Sequence, residues 1–211
     1  GYFKKPNIND VNITKTLSIT EALSPFMTTS DDPFRNNMTF VQTSKHSTPI
    51  EYSTPQLVTT GADAAMPYLV SDMFCHKAKK PGTVKEITDD YLLVEYNDGN
   101  TEYVNLAEQT MKNSDGGFYI TLQLKTDLKV GSKVKQNTIL AYDKKSFSNR
   151  VGDGKLGAYN IGCLSKVAIL TTEDGFEDSG MCSEWLTKTM SSDIVVEKDI
   201  NIPENATLVL G

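Results

Sequence analysis

YLLVEYNDGNTEYVN, at residues 91–105, contains the clearest β-sheet signal in this chain. Two runs rich in β-branched and aromatic residues flank the turn Asn97-Asp98-Gly99-Asn100. An Asp-Gly pair between two such runs is typical of a β-hairpin, because glycine adopts the backbone conformation that a tight turn requires. The sequence therefore predicts antiparallel strands at residues 91–96 and 101–105.

Further strand-like segments lie on both sides of this hairpin. Residues 83–87 precede it, and residues 119–124 and 138–142 follow it. A Lys- and Gly-containing turn at residues 129–135 separates the last two segments. We expect a small β-barrel or sandwich at residues 81–145, in a chain that is mainly β with short helices, an α+β fold.

The N-terminal part is predicted to be less regular. Residues 1–16 are polar and rich in Asn, which is typical of a flexible arm. Apolar residues at helical spacing predict a short helix at residues 17–23, ending at Ser24-Pro25, and a second helical turn at residues 34–40. Prolines interrupt residues 49–70, where only residues 57–60 have the chemistry of a strand.

The C-terminal part is predicted to return to regular structure after a linker. Serine and glycine residues make residues 146–158 a flexible connector. A strand at residues 167–170, an acidic turn at residues 173–179 and a helix at residues 181–190 follow. A last strand is expected at residues 194–196.

Composition limits the possible functions. The 211 residues include 21 basic and 27 acidic side chains, a net charge of -6, which argues against a free-standing nucleic-acid coat. No apolar run reaches the roughly 18 residues of a membrane span, and the first six residues have no apolar core of a signal peptide, so we expect a cytoplasmic protein. Three cysteines at irregular spacing indicate free, buried thiols, and Cys75-His76 has no second pair of zinc ligands.

The acidic turn contains the first candidate site. Its four carboxylates, Glu173, Asp174, Glu177 and Asp178, could supply oxygen ligands to Mg²⁺, which prefers carboxylates and keeps part of its water shell. The alternative is structural, because Asp178 and Ser179 stand where the N-cap of the following helix is expected. Composition favours the cap.

Arg35 is the second candidate. It follows Pro33-Phe34 in a stretch of small polar residues, where a guanidinium could bind a phosphate with two parallel hydrogen bonds. A solvated ion pair with Asp31 or Asp32 accounts for the same residue equally well. Lys45, ten positions later, is a second cation of this segment.

Five short blocks occur in order along residues 17–198. They are Ser24-Pro25-Phe26-Met27 with residues 31–38; Leu57-Val58-Thr59-Thr60-Gly61; Pro81-Gly82-Thr83-Val84 with the hairpin; residues 130–141; and residues 157–168 with 174–179 and Ser183-Glu184. In kind and order they resemble blocks of the β, or second-largest, subunit of multisubunit DNA-directed RNA polymerases. The second is similar to that family's Leu-Val-Gly-Thr-Gly, and the last to its Gly-Tyr-Asn-Phe-Glu-Asp-Ser.

The resemblance implies roles for the candidate residues. The family's arginine that matches Arg35 reaches the phosphates of the incoming nucleotide, and the pair that matches Glu177 and Asp178 lies beside the second Mg²⁺, which arrives with that nucleotide. Lys45 stands where the family has a basic residue, and it implies a nucleic-acid contact. The implied chemistry is nucleotidyl transfer, in which metals and fixed charges hold the attacking and leaving oxygens in line.

The resemblance also implies an architecture. Residues 17–80 match a fork-like segment and residues 159–211 a returning segment, both part of a double-psi-like β-barrel region. Residues 81–145 would be an inserted small barrel or sandwich-hybrid domain. The catalytic Mg²⁺ would be held mainly by the partner largest subunit, so this chain is expected to be inactive alone.

Departures from the family pattern suggest a distant origin. The block before Glu177 is shorter by one residue and lacks the family's Tyr-Asn. This divergence indicates a bacteriophage polymerase, in the cytoplasm of the infected bacterium or packaged in the virion, and the chain is expected to be either one piece of a split subunit or a fragment of a longer one. The expected partners are the other polymerase subunits, the DNA template, the RNA product and nucleoside triphosphates. The alternative is a non-catalytic β-barrel binding module with a virion or regulatory role.

Overall fold

The structure is a computed structural model. It describes residues 18–27, 33–42, 48–112, 119–149, 156–171, 175, 177 and 179–206, with the backbone alone at residues 33–36. These residues are mainly β with short helices, as the sequence predicts.

Short helices lie near both ends of the described chain. They are α1 (Ile19–Leu23), α2 (Pro33–Val41), a 3-10 helix (Ala62–Ala65), α3 (Met66–Leu69) and α4 (Glu184–Thr189). Short antiparallel strands occupy the middle of the chain. They are β1 (Cys75–Lys77), β2 (Gly82–Ile87), β3 (Tyr91–Tyr96), β4 (Thr101–Asn105), β5 (Gln109–Lys112), β6 (Tyr119–Leu122), β7 (Leu124–Lys125), β8 (Lys133–Val134), β9 (Ile139–Asp143), β10 (Phe147–Asn149), β11 (Leu156–Tyr159) and β12 (Ile194–Val195).

The predicted hairpin is confirmed. Strands β3 and β4 pair antiparallel, with Tyr91 opposite Asn105 and Glu95 opposite Thr101. Gly99 adopts a φ of 82°, a left-handed conformation that suits glycine in this turn. The Asp98 carboxylate accepts a hydrogen bond from the Asn100 backbone N–H at 3.2 Å, which closes the turn locally.

Two sheets bury one hydrophobic core between them. The first has the strand order β4-β3-β2-β8 and the second the order β1-β9-β7. Val84, Leu92 and Val104 of the first sheet belong to the same buried cluster as Leu140 and Leu124 of the second. We call these two sheets, which share one set of buried apolar side chains, the sandwich. Among the residues that the structure describes, the sheets do not close into a barrel.

A second buried cluster joins the helical part of the chain to the sheets. Leu23 of α1 and Met66 of α3 pack in one cluster with Cys75 of β1, Tyr142 of β9 and Phe147 of β10. Strand β9 therefore contributes side chains to both clusters. Through β1 and β9, the predicted fork-like segment and the predicted insertion share one sheet.

The predicted linker at residues 146–158 contains structure that the sequence does not indicate. Strands β10 and β11 form an antiparallel ribbon, in which Phe147 lies opposite Tyr159. Phe147 is fully buried, and its ring lies 5.7 Å from that of Tyr159. The prediction of a connector without regular elements was wrong. It relied on the serine and glycine content of the segment and overlooked Phe147, whose burial holds β10 against the core.

Several C-terminal predictions also need correction. Residues 167–170 form no strand and are exposed. Helix α4 is shorter than predicted, and its N-cap is Ser183, whose hydroxyl accepts a hydrogen bond from Leu186 N at 3.2 Å. The expectation that Asp178 or Ser179 caps this helix was therefore wrong. Residues 57–60 likewise form no strand.

A substitution at Gly82 tests how tightly β2 and β3 approach. A Cβ atom at this position would lie 2.4 Å from the Glu95 carbonyl oxygen and 2.9 Å from Tyr96 Cα, both backbone atoms. We expect Gly82→Ala to lower the free energy of unfolding by about 1–3 kcal/mol, because the sheet must move to accommodate the methyl group. Urea unfolding followed by far-ultraviolet circular dichroism measures the change.

Gly180→Ala is the matched control, since a Cβ there would meet no atom within 4 Å. It should leave the urea midpoint within error of the wild type. Equal midpoints for the two variants would contradict the close approach of β2 and β3.

Candidate functional site

Helix α2 contains Arg35 at its third residue. Pro33 starts the helix, a position where the missing N–H of proline costs no hydrogen bond. Helix α2 contacts α1, whose Leu23 is buried in the second cluster. The Thr60 hydroxyl also donates a hydrogen bond to the Ala22 carbonyl at 2.5 Å. The backbone at Arg35 is thus connected to the core through α1.

Three of the four predicted site residues lie wholly or partly outside the described residues. Lys45 and Asp178 are among the residues that the structure does not describe, and the Arg35 side chain is not described either. The prediction that the Arg35 guanidinium and the two carboxylates converge therefore stays a prediction.

Glu177 is described, and it lies on an open groove. Its residue is exposed, in a turn between the extended segment at residues 163–171 and helix α4. The groove has a volume of about 1180 Å³, and its lining includes Lys166, Leu170, Trp185 and Leu57 together with Glu177. A carboxylate, an ammonium group and a large indole ring thus border one open depression.

A short upstream segment, residues 49–54, holds the groove segment at both ends. The hydrogen bonds run from Thr54 N to Gly162 O (2.9 Å), from Leu164 N to Thr54 Oγ1 (2.8 Å), from Glu51 N to Ser191 O (2.9 Å) and from Ser192 Oγ to Pro49 O (2.6 Å). In three of the four bonds the donor is a backbone N–H. These bonds constrain the path of the chain and depend little on which side chains it carries. The groove therefore depends on polar bonds to residues 49–54 and not on a core of its own.

Helix α4 presents the indole at the groove. The helix is short, and it is stabilised by its Ser183 cap and by an ion pair between Lys188 Nζ and Glu184 Oε1 at 2.6 Å. Trp185 is the single tryptophan of the chain and is 60% exposed. Leu186 lies beside it in the lining of the groove.

The described lining of the groove offers oxygen atoms to a cation but no complete metal site. Among the described lining residues, Glu177 supplies one carboxylate, and Ser165 and Ser183 supply hydroxyl oxygens. Within the described residues there is no group of three or more His, Cys, Asp or Glu side chains that could hold a metal. Mg²⁺ often takes one or two protein carboxylates and completes its shell with water and substrate phosphates. Glu177 has the chemistry for that limited role.

A half-buried charge cluster lies elsewhere, and the sequence gives no sign of it. The Glu102 carboxylate accepts hydrogen bonds from the Lys79 ammonium group, from the Tyr96 hydroxyl and, at 3.3 Å, from His76 Nε2. The Glu102 side chain is 12% exposed. These bonds connect β4 to β1 and to the turn that follows β1. The cluster therefore stabilises the contact between these elements at the edge of the sandwich.

The pKa values in this cluster follow from its geometry. Burial alone would raise the pKa of Glu102, but hydrogen bonds from Lys79, Tyr96 and His76 outweigh it and lower that pKa below its usual 4.5. Burial, and then the hydrogen bond to Glu102, raises the pKa of Tyr96 to about 12. The cluster is therefore built around an ionised Glu102 and a protonated Tyr96 at neutral pH.

Cys75 does not have the properties of a nucleophile. It is fully buried in β1, and burial raises the pKa of its thiol to about 11. A thiol that stays protonated at neutral pH reacts slowly. All three cysteines are free, as predicted, but Cys163 is partly exposed and Cys182 exposed.

Comparison with known proteins gives no match to a protein-family model or to a curated protein. None of the helices in the described part of the chain has both the length and the apolar character that crossing a bilayer requires.

The Glu102 cluster predicts a pH dependence of stability. The pKa of Glu102 is lower in the folded protein than the 4.5 expected in the unfolded chain. The ionised carboxylate therefore contributes fully to the free energy of unfolding above pH 4.5, and this contribution is lost as the pH falls through the pKa of the folded state. We expect the urea midpoint of the wild type to fall steeply below about pH 4.5, and Glu102→Gln to flatten that fall. Unfolding curves between neutral pH and pH 3 measure it.

Glu108→Gln removes the same charge from an exposed position next to this strand and serves as the control. It should keep the wild-type pH dependence. A Glu102→Gln protein with the wild-type slope would show that the cluster contributes nothing to stability.

Proposed function

We propose that this chain is part of the β subunit of a multisubunit DNA-directed RNA polymerase, inactive alone, and that it contributes contacts to the nucleotide phosphates and to the second Mg²⁺. The observation that carries this proposal is the order of the five sequence blocks, from Ser24-Pro25 to Ser183-Glu184, across almost the whole chain. One isolated block would have little weight. Five blocks in the order of the family are far more specific than any one of them.

Arg35 is the phosphate-binding residue in this proposal. Its guanidinium has a planar set of donors that match two phosphate oxygens, and it stays charged at any physiological pH. Its contribution is to hold the triphosphate in line with the attacking hydroxyl of the RNA end and to offset the charge that develops on the leaving group. Lys45 would bind the nucleic-acid backbone.

Glu177 and Asp178 act on the second metal in this proposal. Bound Mg²⁺ would neutralise charge on the leaving phosphates. The exposure of Glu177 and the single carboxylate that it brings to the groove support such a limited role, because a metal that arrives with its nucleotide needs few protein ligands. The remaining ligands would come from the largest subunit.

The proposed assembly contains the other polymerase subunits, the DNA template and the RNA product. Within it, residues 17–80 and 159–211 would contribute to a double-psi-like β-barrel, and the sandwich of residues 81–145 would be the inserted domain. The divergence of the blocks from the family pattern supports a bacteriophage enzyme, working in the cytoplasm of the infected bacterium or carried in the virion.

Arg35→Ala tests the phosphate role. In the enzyme reconstituted with the subunits that co-purify with this chain, we expect the variant to raise the nucleotide concentration for half-maximal extension and to slow extension. Loss of a charge-assisted contact of about 1.5–3 kcal/mol corresponds to roughly 10- to 100-fold in kcat/KM. Arg35→Lys keeps the charge without the planar donors and should recover part of this loss.

Arg150→Ala is the matched control, since Arg150 is the other arginine of the chain and lies outside the five blocks. It should extend RNA like the wild type. Wild-type kinetics in Arg35→Ala, from an assembly that still requires the chain, would contradict the proposal and favour the alternative of a non-catalytic binding module.

Glu177→Gln tests the metal role separately. The variant keeps the size and hydrogen-bonding capacity of the side chain but loses its charge, so we expect it to need a higher Mg²⁺ concentration for half-maximal extension. Saturating Mg²⁺ should restore part of the rate. Glu184→Gln removes another exposed carboxylate, from α4, and should leave the Mg²⁺ requirement unchanged. An unchanged requirement in Glu177→Gln would exclude the metal role.

A further inference from the structure

The C-terminal part of the chain presents an unusually apolar surface. We call the described residues 164–171, 175, 177 and 179–206 the apolar tail. Twelve of the 23 large hydrophobic residues that are exposed in the described part of the chain lie in it. They are Leu164, Val167, Ile169, Leu170, Met181, Trp185, Met190, Ile194, Val195, Val196, Ile200 and Ile202. Val167 is 83% exposed and Ile169 is 97% exposed, so the described residues bury almost none of either side chain.

The tail contributes nothing to either core. No described residue between 164 and 206 is buried, and neither hydrophobic cluster contains one of them. Soluble monomers rarely expose contiguous apolar patches of more than a few hundred Å², and larger ones mark interaction sites. The tail is held to the rest of the chain by strand β12 and by the polar bonds of residues 49–54. Among the residues that the structure describes, none buries these apolar side chains.

The charge of the chain is concentrated in the same part. Residues 164–206 contain nine acidic and three basic residues, a net charge of -6, whereas the rest of the chain contains 18 of each sign. The stretch of sequence that contains the apolar tail thus accounts for the whole net charge of the protein. A molecule that covers this segment has to offer both apolar contacts and positive charge.

This combination excludes several kinds of occupant. Nucleic acids carry one phosphate charge per nucleotide and would be repelled. Cytoplasmic membrane surfaces are also anionic and attract basic segments. A second copy of the chain would bring two segments of charge -6 together. A protein surface with apolar side chains surrounded by Lys and Arg matches both the hydrophobic and the electrostatic character of the tail.

We propose that the apolar tail is a docking surface for a basic, amphipathic segment of a partner protein, with the groove beside Trp185 as its central contact. The proposal deepens the subunit function and rests on it for the identity of the assembly, whereas its evidence is the exposure and charge of the tail. The groove volume of about 1180 Å³ exceeds the roughly 300–1,000 Å³ of small-molecule sites, and an open groove with both apolar and polar lining suits an amphipathic helix. Exposed tryptophans are frequent anchors in such interfaces.

Trp185 provides a direct test, because its fluorescence reports burial of the only indole in the chain. The probe is a synthetic amphipathic helical peptide of leucine and lysine, titrated into the full chain without nucleotide or Mg²⁺. We expect a saturable blue shift, weakened by salt. The same peptide with every lysine replaced by glutamate should not bind.

A double substitution locates the surface. Val167→Ser with Ile169→Ser removes two highly exposed side chains, so it should leave the fold intact and lower peptide affinity about tenfold. Val130→Ser removes an exposed apolar side chain outside the tail and is the matched control, with wild-type affinity expected. Circular dichroism of all variants verifies folding.

Three results would overturn the docking proposal. They are equal binding of the glutamate peptide, an equal blue shift with anionic lipid vesicles, or a concentration-dependent dimer by light scattering that buries Trp185 without any peptide. Since the assay contains no nucleotide, its failure would leave the extension kinetics of the Arg35 and Glu177 variants as an independent test of the polymerase proposal.

Discussion

Strand β9 is the constraint on which the other parts of the fold depend. It pairs antiparallel with β1 on one side and β7 on the other, and four of its five residues are buried. Leu140 and Ala141 belong to the core between the two sheets, while Tyr142 belongs to the cluster that contains α1 and α3. A residue inserted in β9 would change the facing of its side chains and disturb both cores at once. The helical part of the chain is thus positioned by a strand that lies far downstream of it in the sequence.

The groove is positioned differently from the cores. Its walls at residues 163–171 and 179–191 are held by hydrogen bonds to residues 49–54, and its described lining contains no buried residue. An exposed hydrogen bond contributes little net free energy, because water competes for both groups. Local opening of this region should therefore require much less free energy than unfolding of the sandwich. A partner that covers the tail would also order the groove.

The sequence predicted what depends on local chemistry and missed what depends on distant contacts. The hairpin was predictable because Asp98 and Gly99 specify its turn by themselves. The strands at residues 147–149 and 156–159 were not, since they depend on the packing of Phe147 against residues far along the chain. The Glu102 cluster was not predictable either, because His76 is 26 positions away. The apolar run at residues 167–170 predicted a buried strand, but the structure has an exposed segment there. An apolar sequence does not indicate whether it packs against its own chain or against another protein. Glu177 was found as a candidate, but its groove and Trp185 were not.

The proposal that this chain is inactive alone has a physical rationale in the surroundings of Glu177. Two unit charges 4 Å apart interact by about 1 kcal/mol in water but several times more strongly near a protein surface of lower effective dielectric. Glu177 is exposed, so by itself it would bind a phosphate-held cation no better than a free carboxylate does. Leu170 and Trp185 of the apolar tail line the same groove as this carboxylate, and they would exclude water from it once a partner covers them. Docking on the tail would therefore strengthen the electrostatic interactions of Glu177 without any change in its own position. In the proposed assembly, the metal role of Glu177 and the docking surface would be coupled, because the partner that buries the tail would also lower the effective dielectric around the carboxylate.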